Sequence, residues 1–241
     1  MIHGIHKFGV YDKKHHKFIA LAVVLLPFLL LLYLGKFANV DLSTLGSAIL
    51  ISFYRLVLGY LLSLILGVSL AIWIGTSRFG DSVVPVLDIM QNMPSFALIP
   101  VFALIFGYTD LMIILFIATS IIWPIIFYVL SAIRTARTDL GEAATIFGAK
   151  GFKRILHFIL PLSFPAIVTG SIVGVAIGWE SVIGVEIIGF SSGIGIILNN
   201  ASLTHNQNIL ITGIGLLLLL VLVINRLVWA PLLFKTRNYA E

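Results

Sequence analysis

The sequence predicts an all-α, polytopic helical membrane protein with about six transmembrane helices, and three observations carry that expectation. The 241 residues are 60% hydrophobic and only 10% charged, too few charges to cover a soluble surface. Mean hydropathy is +1.12. Several apolar stretches reach the ~20 residues that cross a bilayer, and none shows the alternating pattern of a transmembrane barrel. Unpaired backbone groups are costly in hydrocarbon, so these stretches are expected to be helices.

The expected spans are Phe18–Leu34, Thr44–Ile74, Val83–Phe106, Leu111–Leu130, Leu162–Ile188 and Ile209–Ala230. They form one domain over 18–230, between a basic tail at 1–17 and a short tail at 231–241. Lys13, Lys14 and Lys17 precede the first span in the manner of a secretion signal. No small-residue cleavage pattern follows, since the chain continues Tyr33-Leu34-Gly35-Lys36-Phe37, and the segment is read as a span. His3, His6, His15 and His16 stand beside lysines; a solvated cationic tail is expected there, in preference to a metal site.

In the second span Arg55, Gly59, Ser63, Gly67, Ala71 and Gly75 recur every four residues. Small residues at this spacing let helix backbones approach closely. Arg55 would face protein or water, because a lipid-facing arginine is costly near mid-bilayer. It reads either as a cavity cation for an anionic solute, or as a structural arginine that snorkels outward or pairs with Asp41 or Glu180.

Pro94 and Pro100 interrupt the third span, and proline bends a membrane helix by freeing carbonyls. Gln91, Asn92 and Ser95 beside them are candidate solute contacts, a simple structural kink being the other reading. The fifth span carries Gly170, Gly174 and Gly178, again four apart, which predicts close helix contact within the chain or across a dimer axis. Glu180 and Glu186 follow. Six residues turn a helix by about 240°, so the two carboxylates are not expected to share a face. Ser191–Asn208, polar and glycine-bearing, is expected to be an outer connection, either a docking surface or a plain loop.

The pI near 9.6 has a topological origin. With the N-terminus inside, 13 of the 15 lysines and arginines fall on one side of the predicted membrane, leaving Lys36 outside and Arg55 within a span. That bias places both termini in the cytoplasm. The chain contains no cysteine, which excludes disulfides and thiolate metal sites.

The same orientation makes 131–161 the largest cytoplasmic loop. Asp139 and Glu142 have capping-box spacing, and Ala143, Ala144, Ile146 and Phe147 would propagate a short helix. Gly148 and Gly151 would permit a turn. Phe152–Ile159 would form a second helix, ended by Leu160-Pro161. Ile146, Phe147, Phe152, Ile155 and Phe158 are much apolar surface for such a loop, which suits a protein partner or an anionic lipid surface.

Glu142-Ala143-Ala144, three residues, Gly148, nine residues, then Phe158-Ile159-Leu160-Pro161 resembles the EAA loop of bacterial-type ABC importer permeases. Phe158 departs from the isoleucine of that pattern. Met93–Gly107 and Gly184–Ala201 resemble the nitrate/sulfonate/taurine/bicarbonate-like subgroup of the binding-protein-dependent transport inner-membrane component family, and Glu186 matches an acidic position there. The resemblance extends from about Leu45 to Pro231.

It implies a type I importer permease fold and a coupling interface made by Glu142, Ala143, Ala144, Phe147, Gly148, Phe152, Leu160 and Pro161. It further implies ABC ATPase subunits carrying ATP and Mg, a second permease copy, an extracytoplasmic binding protein, and a small anionic solute such as nitrate, a sulfonate or bicarbonate. No cofactor or metal is expected on this chain, nor any nucleic-acid partner. The sequence holds no G-x-x-x-x-G-K-[ST] phosphate loop, so ATP hydrolysis is assigned to a separate subunit. Arg55, Gln91, Asn92, Pro94, Ser95, Glu180 and Glu186 are the candidate translocation-path residues. An ion-coupled secondary transporter would need internal repeats and its own ion-coupling groups. A membrane enzyme would need a converging catalytic cluster, and the sequence shows none.

Overall fold

The computed structural model describes residue 29, residues 40–135 and residues 151–237. The expected first span, apart from Leu29, and the loop residues Glu142, Ala143, Ala144, Phe147 and Gly148 lie outside the described residues. Among the described residues every regular element is helical. Four of the described helices are long and apolar enough to cross a membrane, and a bent pair makes up to five.

Helix α1 is Leu42–Thr76. Its 35 residues span about 52 Å, longer than the ~30 Å hydrocarbon core. Asp41 caps it by accepting the Ser43 and Thr44 backbone N–H groups at 3.0 and 3.4 Å. The Ser43 and Thr44 hydroxyls also donate to the Asp41 carboxylate, each at 2.6 Å.

Where a third span bent by Pro94 and Pro100 was expected, the chain forms α2 (Gly80–Gln91), then a 3-10 turn at Ser95–Leu98 that leads into α3 (Ile99–Phe106). The two halves are bent by 83°. Pro94, just before the 3-10 turn, is the breaker, whereas Pro100 stands in the first turn of α3, where its missing N–H costs nothing. Helix α4 is Asp110–Thr135.

Helix α5 runs unbroken over Phe152–Gly189, which corrects the expectation that Leu160-Pro161 ends a separate short helix. A π turn at Ile155–Ile159 precedes the proline, and the Leu160 N–H reaches back to the Ile155 carbonyl. Widening the turn relieves the clash that a proline ring makes with the preceding turn. The same device recurs in α7, Gln207–Ile224, which passes through a π turn at Asn225–Trp229 and continues as Ala230–Arg237 beyond Pro231. The expected tail at 231 is therefore still helix. Between α5 and α7 the expected outer connection contains a helix, α6 (Ile194–Leu203).

The core is built on α4, gripped from two sides by glycines. A Cβ placed on Gly59, Gly67 or Gly75 of α1 would sit 2.7, 3.0 or 2.9 Å from the Cγ2 of Ile117, Ile125 or Ile133. Each pair is 58 positions apart, so α1 and α4 run parallel in one fixed register. The Ser63 hydroxyl lies 2.7 Å from the Gly59 carbonyl and 2.8 Å from that of Ala118.

From the other side, α5 crosses α4 in the opposite direction. A Cβ on Gly170 would stand 3.0 Å from the Ile125 Cα, one on Gly174 2.8 Å from the Ile121 Cγ2, and one on Gly178 2.6 Å from the Ile121 Cδ1. The two glycine rows thus mediate packing within the chain. Ile117, Ile121 and Ile125 are fully buried as a result.

Candidate functional site

Two places among the described residues hold four of the seven path candidates. The first is an ionic network where α1, α4, α5 and α6 meet. Arg55 lies on α1, 3% exposed. Its Nε and Nη2 donate to Asp110 at 2.8 and 2.6 Å, and its Nη1 donates to Glu186 at 2.7 Å. Two further bonds go to the Ser192 carbonyl and hydroxyl, and the guanidinium lies 5.4 Å from the centre of the Phe190 ring. These partners replace the Asp41 or Glu180 expected from sequence.

Glu186 is fully buried and is completed by neutral donors, the Ser52 hydroxyl at 2.8 Å and the Gly195 N–H at 2.9 Å. Ser52 in turn accepts the Ile194 N–H at 2.9 Å. The pair therefore satisfies the amides that open α6, a favourable place for a carboxylate. Gly193 has φ +109, a backbone open to glycine, and any Cβ there would collide with the Glu186 carboxylate. Asp110 is 63% exposed, so the Arg55–Glu186 pair is the desolvated part of the network. Removing one partner of such a pair typically costs about 3–5 kcal/mol, because the other charge is left uncompensated. Arg55 is thus fully engaged and presents no free charge to a solute.

The second place is a cavity of about 530 Å³ beside the break between α2 and α3. Met90, Gln91, Met93, Ser95 and Leu98 line it from the broken segment. Thr119, Ser120, Trp123, Pro124, Phe127 and Tyr128 line it from α4, and Ile177 from α5. Non-helical backbone at membrane depth is tolerated where it is buried in protein or borders a water-filled cavity; of residues 92–94, Met93 borders this cavity, and Asn92 and Pro94 are exposed.

Gln91 donates its amide to the Asp88 carboxylate, and the Thr119 and Ser120 hydroxyls donate to the Phe116 carbonyl. Ser95, Trp123 and Tyr128 also border the cavity, and no hydrogen bond engages their polar groups among the described residues.

Of the seven path candidates, Gln91 and Ser95 border the cavity. Asn92 and Pro94 are exposed at the break, Asn92 donating to the Asp88 carbonyl. Arg55 and Glu186 belong to the ionic network. Glu180 is exposed on α5, on a different face from buried Glu186. Of the coupling residues, Phe152 is 75% exposed, while Leu160 and Pro161 are half-buried in α5.

Sequence reasoning missed Thr119, Trp123 and Phe127, although their four-residue spacing marks one helical face. It also missed Ser52, Asp110 and Ser192 as partners of the charged pair, a grouping that only the fold creates.

A match to the family described as "Binding-protein-dependent transport system inner membrane component" covers residues 63–230, and the chain belongs to that family. A protein of Bacillus subtilis (strain 168), provisionally named an aliphatic sulfonates transport permease protein, is 32% identical over 68% of this chain and 60% of its own length. The nitrate import permease protein of Synechococcus elongatus is 28% identical over 63% of this chain and 54% of its own length. The taurine transport system permease protein of Escherichia coli (strain K12) is 24% identical over 73% of this chain and 64% of its own. The chain thus spans less than two thirds of each of these relatives. Family and helices together make it a multi-pass membrane protein.

Proposed function

We propose that this member of the binding-protein-dependent permease family forms the membrane path of an ABC importer, with ATP hydrolysed by a separate subunit. The family match across 63–230 carries the reading. Three relatives named for sulfonate, nitrate and taurine transport support a small anion as the solute. The comparisons lend no support to an ion-coupled secondary transporter.

In this reading the charge bias sets the end bearing Arg134 and Phe152 in the cytoplasm and the end bearing Asp41 and Asp110 outside. Glu142–Pro161 is the segment on which the ATPase acts. Exposed Phe152, with Lys153 and Arg154 beside it, supports this as the far end of α5, through which a push would reach the cavity wall at Ile177. Two copies of the chain form the path, and an extracytoplasmic binding protein delivers the solute. Glu142 fixes the entry of the coupling helix, and Gly148 allows its turn.

The test is ATPase activity in vesicles after co-expression with the nucleotide-binding subunit, comparing the wild type with Glu142→Ala and Gly148→Asp. Co-purification, with both variants uncoupling or releasing the ATPase, is the expected result. Failure of any ATPase to associate, or wild-type behaviour in both variants, would remove the reading.

A further inference from the structure

We propose that Glu180 and Arg226 form reciprocal ion pairs between two copies of this chain, so that the face shared by α5 and α7 is where the copies meet. The second copy belongs to the permease reading, on which this rests; the residues that recognise it are the addition.

An account of the charges carries it. Of the ten carboxylates in the sequence, Asp12, Asp139, Glu142 and Glu241 lie in the tails and the 131–161 loop. Five others are engaged: Asp41 by the first turn of α1, Asp81 by Arg134, Asp88 by Gln91, and Asp110 and Glu186 by Arg55. That leaves Glu180, exposed and nine residues inside the end of α5, with no ion pair or hydrogen bond among the described residues. Arg226 is its counterpart. The span continues ten residues past it to Thr236, and it too has no partner among the described residues. The apolar segment 18–34 contains no acid that could neutralise it.

The two charges stand at similar depth. Trp179, next to Glu180, stacks on Phe53 of α1 at 6.3 Å, and Trp229 meets Tyr60 edge-on at 6.2 Å. A Cβ on Gly213 would lie 3.6 Å from Leu45, so α7 runs parallel to α1 in nearly constant register. Arg226 is therefore level with about residue 57 of α1 and Glu180 with Phe53, a difference of about 6 Å. That level is well inside α1, about 22 Å from Leu42 and about 28 Å from Thr76. A charge that faces lipid at such depth is costly, and intramembrane charges pair with one another.

Shape agrees with charge. Arg226 borders a hollow of about 260 Å³ with Leu222, Asn225 and Ala230. Asn225 also borders a cleft of about 140 Å³ between α5 and α7, walled by Trp179 and Trp229. Its amide makes no hydrogen bond among the described residues, and such a group holds membrane helices together when it bonds across them. A two-fold axis along the membrane normal makes the contact self-complementary. Glu180 of each copy then meets Arg226 of the other, and one contact yields two ion pairs.

The test co-expresses two differently tagged full-length copies with the ATPase subunit and measures how much of one copy the other recovers. Glu180→Arg in both copies, or Arg226→Glu in both, sets like charges against each other and is expected to lower recovery about tenfold. Mixing a Glu180→Arg copy with an Arg226→Glu copy restores both pairs across the contact, and recovery is expected within about twofold of the wild type's. A pair within one chain predicts the reverse, rescue by both changes in one chain and none by mixing. The absence of native cysteine allows a second measurement without charge reversal. Glu180→Cys mixed with Arg226→Cys, treated with a short bis-methanethiosulfonate reagent, is expected to give more covalent dimer than either variant by itself.

Wild-type recovery in the single reversals, no gain on mixing, or no covalent dimer in the mixture would each overturn the proposal. If the ATPase still co-purifies in those cases, the permease reading stands. Loss of the ATPase from the wild-type chain would instead count against that reading.

Discussion

Ile117, Ile121 and Ile125 of α4 are sealed beneath the glycines of α1 and α5, whereas Thr119, Trp123 and Phe127, each two positions further on, border an open cavity. Two residues turn a helix by about 200°, so these rows occupy opposite sides of one rod. The difference shows how a chain this apolar keeps sealed packing and open space on one helix. Branched aliphatics against bare glycine backbone give the tight packing that lipid cannot provide. Aromatic and hydroxyl side chains, beside a segment that has left its helix, give a largely apolar hollow with a few polar groups at its wall.

The largest expected effect tests what anchors the sealed side. Glu186→Ala leaves Arg55 without its buried carboxylate, with only exposed Asp110 as counterion, and should lower unfolding stability by up to about 3–5 kcal/mol in detergent melts. The double change with Arg55→Met should recover part of that loss. Equal losses in the single and double variants would mean that the pair is not coupled.

Next comes the packing itself. Gly178→Val would drive a side chain into Leu56 and Ile121, where even a Cβ has 2.5–2.6 Å. Overpacking of this kind costs about 1–3 kcal/mol. Gly46→Ala, with nothing within 4 Å, should be neutral or slightly stabilising in the same melt.

Trp123→Ala, only two residues from Ile121, should reverse the pattern, with a melting temperature near the wild type's and a loss of solute transport. A collapse in stability would erase the contrast between the two faces.

The smallest effect lies at the start of α1. The Ser43 and Thr44 hydroxyls hold the Asp41 carboxyl down to about 2. A depressed folded-state value means that the cap's contribution is complete above about pH 4, the ordinary carboxylate range. It fades as pH falls through 2. Asp41→Ala should speed amide exchange at Ser43 and Thr44 at neutral pH, and Asp41→Asn much less. Equal exchange rates in the wild type and Asp41→Ala would show the cap to be idle.

The sealed side was largely legible in sequence, because glycines four apart can do little else in a membrane helix; the rows at 59–75 and 170–178 both became contacts. The open side was not. Its wall comes from a proline-broken segment and from a helix whose Thr119/Trp123/Phe127 row is diluted by isoleucine on every other face. A hydropathy window averages that row away. The partners of Arg55 were hidden for another reason. Asp110 is 55 positions off and Glu186 131, a juxtaposition set by helix register and by the strap at Phe190–Gly193.

Register has a further consequence. Gly59, Ser63, Gly67, Ala71 and Gly75 form a row of nearly equivalent notches, each about 6 Å from the next. A slide of α1 along α4 by one notch would return small residues beneath branched ones, while any lesser slide would not. Packing alone therefore behaves as a ratchet with several similar stops and does not say which stop is native. Arg55 does, because its fork meets Asp110 and Glu186 at one stop only. The one strongly polar tooth on an otherwise repeating rack acts as the index mark by which the two rods find their alignment.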